Sequence, residues 1–348
     1  MGIFSFLSGK KSSQWANLSV TKKDSLSPTF TVFTLVNTNN EPFSTSFIPG
    51  QYVTLSAEIE GKEIRRSYSI CGAEENGFKI GVKKIEGGIM SSFLHDHIEK
   101  GSEIKVHVPE GSFVLNGEQI VCAFVAGSGV TPLASMLEQY QSQKKFKVFY
   151  GIKKVEDYLF KPLLEKANAR VYVSQENVDG FRYGRLTYDA MMEELKMDLS
   201  LLQCDVYLLC GPEEFMNEIE RGLTFFGVPE NKIKREFFVS PVASNDKELQ
   251  TGKYTGPVSV VATIDGKEHS FTYQSGKKSL LEGLEEARLD PPYSCRGGVC
   301  SSCRVKLTAG KVIMRQNYTL TDKEVEEGYV LTCQADACSG EIQLTFDA

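Results

Sequence analysis

What this chain lacks narrows its chemistry before any motif is read. Positive charge is not in excess: 39 Lys and Arg face 45 Asp and Glu, a formal net charge of −6. That is the wrong sign for a protein that grips a nucleic-acid backbone. Histidine is scarce, and the four present (His95, His97, His107, His269) are too scattered to form an imidazole metal site. No apolar run reaches the length of a membrane span. The apolar start Met1–Leu7 is also too short for a signal h-region, and Phe6 stands where myristoylation wants Ser or Thr. Internal repeats and low-complexity blocks are missing too. With no secretory leader and an odd number of cysteines (nine), the expectation is a reducing, cytoplasmic setting, with residues 1–14 as a flexible tail.

The cysteines carry the first positive signal. Cys295, Cys300 and Cys303 follow a C-x4-C-x2-C spacing, and Cys333 lies downstream on the strand-like run Tyr329–Cys333. This is the ligand pattern of a plant-type [2Fe–2S] centre, whose irons favour soft thiolates. Gly297 and Gly298 suit a loop that must wrap closely round a cluster and aim N–H groups at its sulfurs. A structural zinc site would pair two short C-x2-C-like arms, and here the first gap is too long. A Rieske centre would need histidines beside the cysteines, and none is near. Cys338 competes with Cys333 for the fourth position; Cys71 and Cys122 read as core thiols.

The chain is long enough for two or three domains. Residues 15–114 read as short strands with turn punctuation, the signature of an antiparallel β-barrel or sandwich. Within them, Arg65-Arg66-Ser67-Tyr68-Ser69-Ile70 places Arg66 and Tyr68 on one face of a strand. Arg66 offers a fork for phosphate, Tyr68 a surface for a planar ring, and Ser69 a hydrogen bond to a ring nitrogen. Gly87-Gly88 leads into a short helix ending near His97, exposing N–H groups to a pyrophosphate. Together these suggest an anionic, ring-bearing ligand.

From 115 to 240 the rhythm becomes βαβ, which implies a parallel α/β sheet. Strand Ile120–Ala126 runs into Gly127-Ser128-Gly129-Val130-Thr131-Pro132 and a helix through Tyr140, the context of a dinucleotide turn. Pro132 replaces the third glycine, which a first helical turn tolerates. Further expected elements are strands 147–150, 170–174 and 206–209 and helices 159–167 and 188–195. Cys210-Gly211-Pro212 follows the last strand, where ligands of such sheets sit; Cys210 is equally placed to be an ordinary buried thiol. Residues 241–255 read as a linker. From 256 to 348 the chain starts again with strand 258–264, an Asp265-Gly266 hairpin turn, strand 270–273, helix 279–288 and the cluster loop.

Taken together, residues 15–240 resemble the ferredoxin–NADP reductase superfamily, and 256–348 resemble a plant-type ferredoxin of β-grasp fold. The fused arrangement is most similar to the oxygenase reductases. That resemblance implies that Arg66 holds the FAD pyrophosphate, Tyr68 lies on the isoalloxazine and Ser69 approaches its N5. Gly88, Met90 and Ser91 would form a second FAD-phosphate segment. Gly127, Gly129 and Thr131 would bind the NAD(P) pyrophosphate, Cys210 and Gly211 would adjoin the nicotinamide, and Glu236 and Phe237 would close the domain near the flavin. Leu331-Thr332-Cys333-Gln334 resembles the ferredoxin ending and favours Cys333 over Cys338 as ligand. Implied in turn are catalytic roles for Ser69, Cys210 and Glu236, and hydride transfer from NAD(P)H to FAD. Single electrons would then pass through the cluster to an oxygenase, hydroxylase or desaturase, with the ferredoxin-like domain moving on its linker. Lys153, Lys154, Ser174, Arg182 and Arg185 lean toward NADPH, and Glu176 toward NADH. Two alternatives remain: a redox sensor or carrier without turnover, and electron flow from an outside donor to NADP.

Overall fold

The computed structural model of this protein describes residues 14–39, 43–238, 254–276 and 278–348. Of the expected tail only Gln14 falls within these, and of the expected linker only Tyr254 and Thr255; the rest of both lies outside the described residues.

The first unit is a closed antiparallel barrel. Its strands are β1 (Trp15–Ser27), β2 (Phe30–Val36), β3 (Tyr52–Ile59), β4 (Lys62–Glu74), β5 (Gly77–Lys83) and β6 (Glu103–His107), in the order β1-β2-β5-β4-β3-β6. Alternating inward residues such as Leu18, Val20, Phe33, Leu35, Val53, Leu55 and Ile80 fill it. Helix α1 (Ile89–His97) buries Met90 and Leu94 in the same core.

The second unit is a six-stranded, wholly parallel sheet. Its strands are β7 (Ile120–Ala126), β8 (Lys145–Ile152), β9 (Arg170–Val173), β10 (Arg182–Tyr183), β11 (Val206–Cys210) and β12 (Ile233–Glu236), ordered β10-β9-β8-β7-β11-β12. Helices α2 (Val130–Tyr140), α3 (Lys161–Lys166), α4 (Tyr188–Met197) and α5 (Glu213–Phe225) connect them. Such a sheet is buried on both faces, which is why β7 and β11 are almost continuously apolar. The order reverses between β7 and β11, and at their carboxyl ends a crevice opens. Helix α3 begins at Lys161 rather than 159, because Phe160 caps it in the left-handed region (φ 51°). The short edge strand β10, absent from the sequence expectation, is fixed by charge. The fully buried Glu194 of α4 takes Arg170 of β9, Arg182 of β10 at 2.7 Å, and the Tyr172 hydroxyl.

The third unit comprises β13 (Pro257–Ile264), β14 (Lys267–Gln274), α6 (Leu280–Glu286), β15 (Arg304–Ala309), β16 (Val312–Met314), α7 (Asp322–Glu326), β17 (Tyr329–Leu331), β18 (Ala335–Ala337) and β19 (Glu341–Thr345). Five strands form a mixed sheet in the order β14-β13-β19-β15-β17. Asp265 (φ 51°) and Gly266 (φ 72°) make the tight β13–β14 turn the sequence announces. Helix α6 starts at a capping box: the Glu282 N–H donates to Ser279 Oγ at 3.3 Å, and the Ser279 N–H donates to the Glu282 carboxylate at 2.7 Å. Among the described residues no helix is long and apolar enough to cross a membrane.

Candidate functional site

Strand β4 organises the first part of the site. Alternation sends Arg66 and Tyr68 to one face and Arg65, Ser67 and Ser69 to the other. Tyr68 lies against the barrel core, and burial raises its hydroxyl well above the ordinary tyrosine range. Arg66 is exposed and donates to the Arg65 carbonyl at 2.7 Å, leaving the rest of its guanidinium available. In the second expected segment the side chains face inward. Met90 is part of the barrel core, while Ser91 Oγ accepts from Ile85 N at 3.1 Å and donates to the Gly88 carbonyl at 3.3 Å. A β-carbon on Gly88 would meet Ser91 Oγ at 2.5 Å. What this segment can offer an anion is therefore the unpaired N–H groups of the first turn of α1.

Three residues far apart in sequence meet at the sheet crevice. The β11–β12 register pairs Cys210 with Glu236, and the Ser69 hydroxyl faces the Glu236 carboxyl from the barrel side. Burial pushes Glu236 up to about 8, against a weaker downward pull from Ser69, so it is mainly protonated at neutral pH. Burial, then the neighbouring Glu236, raises the Cys210 thiol well above its usual range. The trio is thus uncharged at pH 7. Glu236 Oε2 is buried with no hydrogen-bond partner among the described residues, the kind of atom a bound ring's polar edge would satisfy.

Beside the trio runs a cleft of about 740 Å³, lined by the 126–129 turn, Gly211–Phe215, Phe237 and Phe238 from one side and Phe30 and Lys83 of the barrel from another. Gly127 takes φ +55°, with open space where a β-carbon would be. Its carbonyl is held by the buried Tyr150 hydroxyl at 3.1 Å. Gly129 serves close packing: a β-carbon there would stand 2.2 Å from the Cys210 carbonyl oxygen. Thr131 is buried and donates to the Ser128 carbonyl at 2.9 Å, tightening the turn. At the far end of the cleft lie Lys153, Ser174 and Arg185. Lys154 pairs with Glu156 at 3.7 Å, Arg182 with Glu194, and Glu176 accepts the Val155 N–H at 2.8 Å. The one acid expected to favour a free ribose is therefore engaged in the fold.

The four proposed ligand cysteines gather at one end of the third unit in two pairs, Cys295 with Cys300 and Cys303 with Cys333, each pair in thiol–thiol contact. No three His, Cys, Asp or Glu side chains among the described residues converge as one mononuclear ion requires. Two facing pairs instead suit a centre holding two irons with two thiolates each. The loop presents N–H groups to the sulfurs: Gly297 N to Cys295 Sγ at 3.3 Å, Cys295 N to Cys300 Sγ at 3.3 Å and Cys300 N to Cys295 Sγ at 3.4 Å. Contact with Cys300 and these N–H groups bring Cys295 down to about 5, favouring the ligating thiolate. Arg296 (φ 54°) and Gly298 (φ 76°) make the wrap, and Gln334 clamps it by donating to the Arg296 carbonyl at 2.8 Å. The Cys338 thiol turns to the Asp336 carbonyl.

This loop rests on the outer face of β3 and β4. Tyr52 OH is 3.3 Å from both Ser301 Oγ and Ser302 Oγ, Ser67 donates to Ser294 at 2.8 Å, and the Phe237 and Tyr318 rings lie 5.4 Å apart. Tyr52 is also the ladder partner of Ser69, so one strand pair touches the trio and the cluster loop alike. Sequence reasoning missed Tyr52, Arg65 and Phe238. Phe238 adjoined a quoted residue, but nothing local marks the other two, whose partners in the third unit are more than 200 residues away.

Comparison with known proteins places each unit. The oxidoreductase FAD-binding domain family matches residues 17–115, the oxidoreductase NAD-binding domain family 124–221, and the 2Fe-2S iron-sulfur cluster binding domain family 262–338. The chain is 31% identical over 322 residues to one component of the 1,2-phenylacetyl-CoA epoxidase of Escherichia coli, covering 87% of this chain and 89% of that one. It is 29% identical over 313 residues to the ferredoxin reductase component of the 3-ketosteroid-9-alpha-monooxygenase of Mycobacterium tuberculosis, covering 86% of each. Its fold is shared with a phthalate dioxygenase reductase (TM-score 0.58, 23% identity), covering 95% of this chain and 98% of that one.

Proposed function

Because the chain belongs to the ferredoxin–NADP reductase superfamily, within the oxygenase reductases that end in a [2Fe–2S] domain, we propose that it hands electrons to an oxygenase or hydroxylase partner. It is an NAD(P)H-dependent flavin and iron–sulfur oxidoreductase. When bound, the flavin accepts a hydride and releases electrons singly, the conversion that lies between a nicotinamide and a one-electron cluster.

The observation that carries the reading is the convergence of Ser69, Cys210 and Glu236 where barrel, cleft and cluster loop meet. In this assignment Arg66 forks the FAD pyrophosphate, helped by the N–H groups after Gly88. Tyr68 supports the ring, while Ser69 and the protonated Glu236 hydrogen-bond its polar edge. The turn Gly127–Thr131 receives the nicotinamide cofactor's pyrophosphate, Cys210 and Gly211 bound the nicotinamide, and Phe237 and Phe238 keep water out. Cys295, Cys300, Cys303 and Cys333 hold the cluster. Arg66→Ala is expected to weaken FAD retention by about 2 kcal/mol, the worth of a charge-assisted contact, measured as flavin lost on dilution. Undiminished retention would remove Arg66 from this role.

The coenzyme is NADPH, on the strength of Lys153 and Arg185 lining the cleft without a carboxylate partner among the described residues and of Glu176 being engaged elsewhere. The setting is the cytoplasm, in keeping with nine cysteines outside any disulfide. Anaerobic addition of NADPH to the fully loaded protein should bleach the flavin and then the cluster. Arg185→Ala should raise the KM for NADPH about tenfold, roughly 1.4 kcal/mol, and leave that for NADH unchanged. A sample in which neither centre bleaches would instead be a sensor or carrier; an unchanged KM ratio would assign NADH.

A further inference from the structure

Arg65, neighbour of the arginine assigned to the flavin, points away from the flavin face. Its side chain is 1% exposed. Its guanidinium reaches Glu63 at 2.9 Å on its own strand, and crosses to the third unit to meet Asp290 Oδ1 at 2.6 Å and the Pro291 carbonyl at 3.3 Å. It also lies between two rings, 5.1 Å from Trp15 of β1 and 4.7 Å from Tyr293. The Tyr293 ring also has Arg296 at 4.3 Å, the residue that follows ligand Cys295. A chain of guanidinium–ring contacts thus runs from the barrel to the cluster loop.

The rest of the contact with the barrel is polar, the Phe237–Tyr318 ring pair lying beside it. Hydroxyls of Tyr52, Thr54 and Ser67 meet those of Ser294, Ser301 and Ser302, each serine next to a ligand cysteine. Among the described residues no buried apolar cluster spans the two units: the third unit's clusters hold only its own residues. Interfaces of this kind separate at little cost, because every group regains water when they open. Yet a buried guanidinium clamped between a carboxylate and two rings defines one pose sharply.

We infer that Arg65 is the latch of a reversible docked pose, holding the cluster loop on the barrel for electron loading and releasing it for hand-off. This rests on the electron route proposed above. One hydride brings two electrons and the cluster carries one. The pose must therefore form, open so that the electron leaves to the acceptor, and form again for each NAD(P)H oxidised. The covered serines beside the ligands give the acceptor its short approach only once the barrel has left them.

Arg65→Gln and Asp290→Asn in the loaded full chain test this. Both should leave NAD(P)H-driven flavin bleaching, thermal unfolding and the cluster spectrum as in the parent, slow cluster bleaching about tenfold, and enlarge the radius of gyration in X-ray scattering. Salt at 1 M should enlarge the parent likewise, and the double reversal Arg65→Asp with Asp290→Arg should restore both the rate and the compact shape. Native cluster bleaching or native scattering in the single variants overturns the latch. Should Arg65→Gln not fold, Asp290→Asn decides alone, since that side chain is 67% exposed and bonds Arg65 across the contact. A parent whose flavin NAD(P)H fails to bleach would overturn the electron route, while scattering would still judge the pose.

Discussion

Cys300→Ser is expected to abolish the visible absorbance and paramagnetic signal of the iron–sulfur centre while NAD(P)H still bleaches the flavin at close to the parent rate. The loop leaves no substitute ligand: Cys300 is buried, pairs with Cys295, and receives the Cys295 N–H, so a shorter, harder oxygen there reaches neither the iron nor its soft-ligand preference. The flavin half should be spared, because the barrel and parallel sheet bury cores that share no residue with the third unit. Reduction of an artificial acceptor that draws from the flavin should persist, and electron delivery beyond the cluster should vanish. A variant with the parent cluster spectrum would strike Cys300 from the ligand set.

Gly129→Ala should have the next largest effect, through crowding rather than backbone strain. The position has ordinary helical angles (φ −61°, ψ −8°), which any residue adopts. The new methyl, however, would fall 2.2 Å from the Cys210 carbonyl oxygen and 2.6 Å from its carbon. Backbone cannot swing aside as a side-chain tip can, so the carboxyl ends of β7 and β11 must separate, shifting Cys210 relative to the Gly127–Thr131 turn. A stability loss of about 1–3 kcal/mol is expected from the overpacking. Flavin reduction by NAD(P)H should fall at least about tenfold, while chemical reduction by dithionite proceeds as in the parent. Parent rates with NAD(P)H would show that the crevice tolerates the displacement.

Much of this was legible because the decisive signals are local. The cysteine spacing, the Asp265-Gly266 turn and the apolar run into Gly127 each specify their geometry within about ten residues. Gly129 was legible only in part: the fingerprint pointed to phosphate, while the structure places it against another strand's carbonyl. What could not be read depends on meetings across the fold. Arg65 and Arg66 are adjacent arginines on one strand, and alternation says only that they face opposite ways. That one meets Asp290, 225 positions on, is decided by docking of whole units. The start of α3 was misplaced for a smaller reason, since nothing in the periodicity shows that Phe160 adopts left-handed angles.

The carboxylate of Glu194 has a consequence for how the rim of the cleft can change. It ties β9 through Arg170 and β10 through Arg182, so the segment 174–181 hangs between two fastened posts. Residues there can be exchanged, lengthened or recharged while the sheet edge beneath keeps its shape. The charge along this span can drift without the rest of the protein having to be re-engineered.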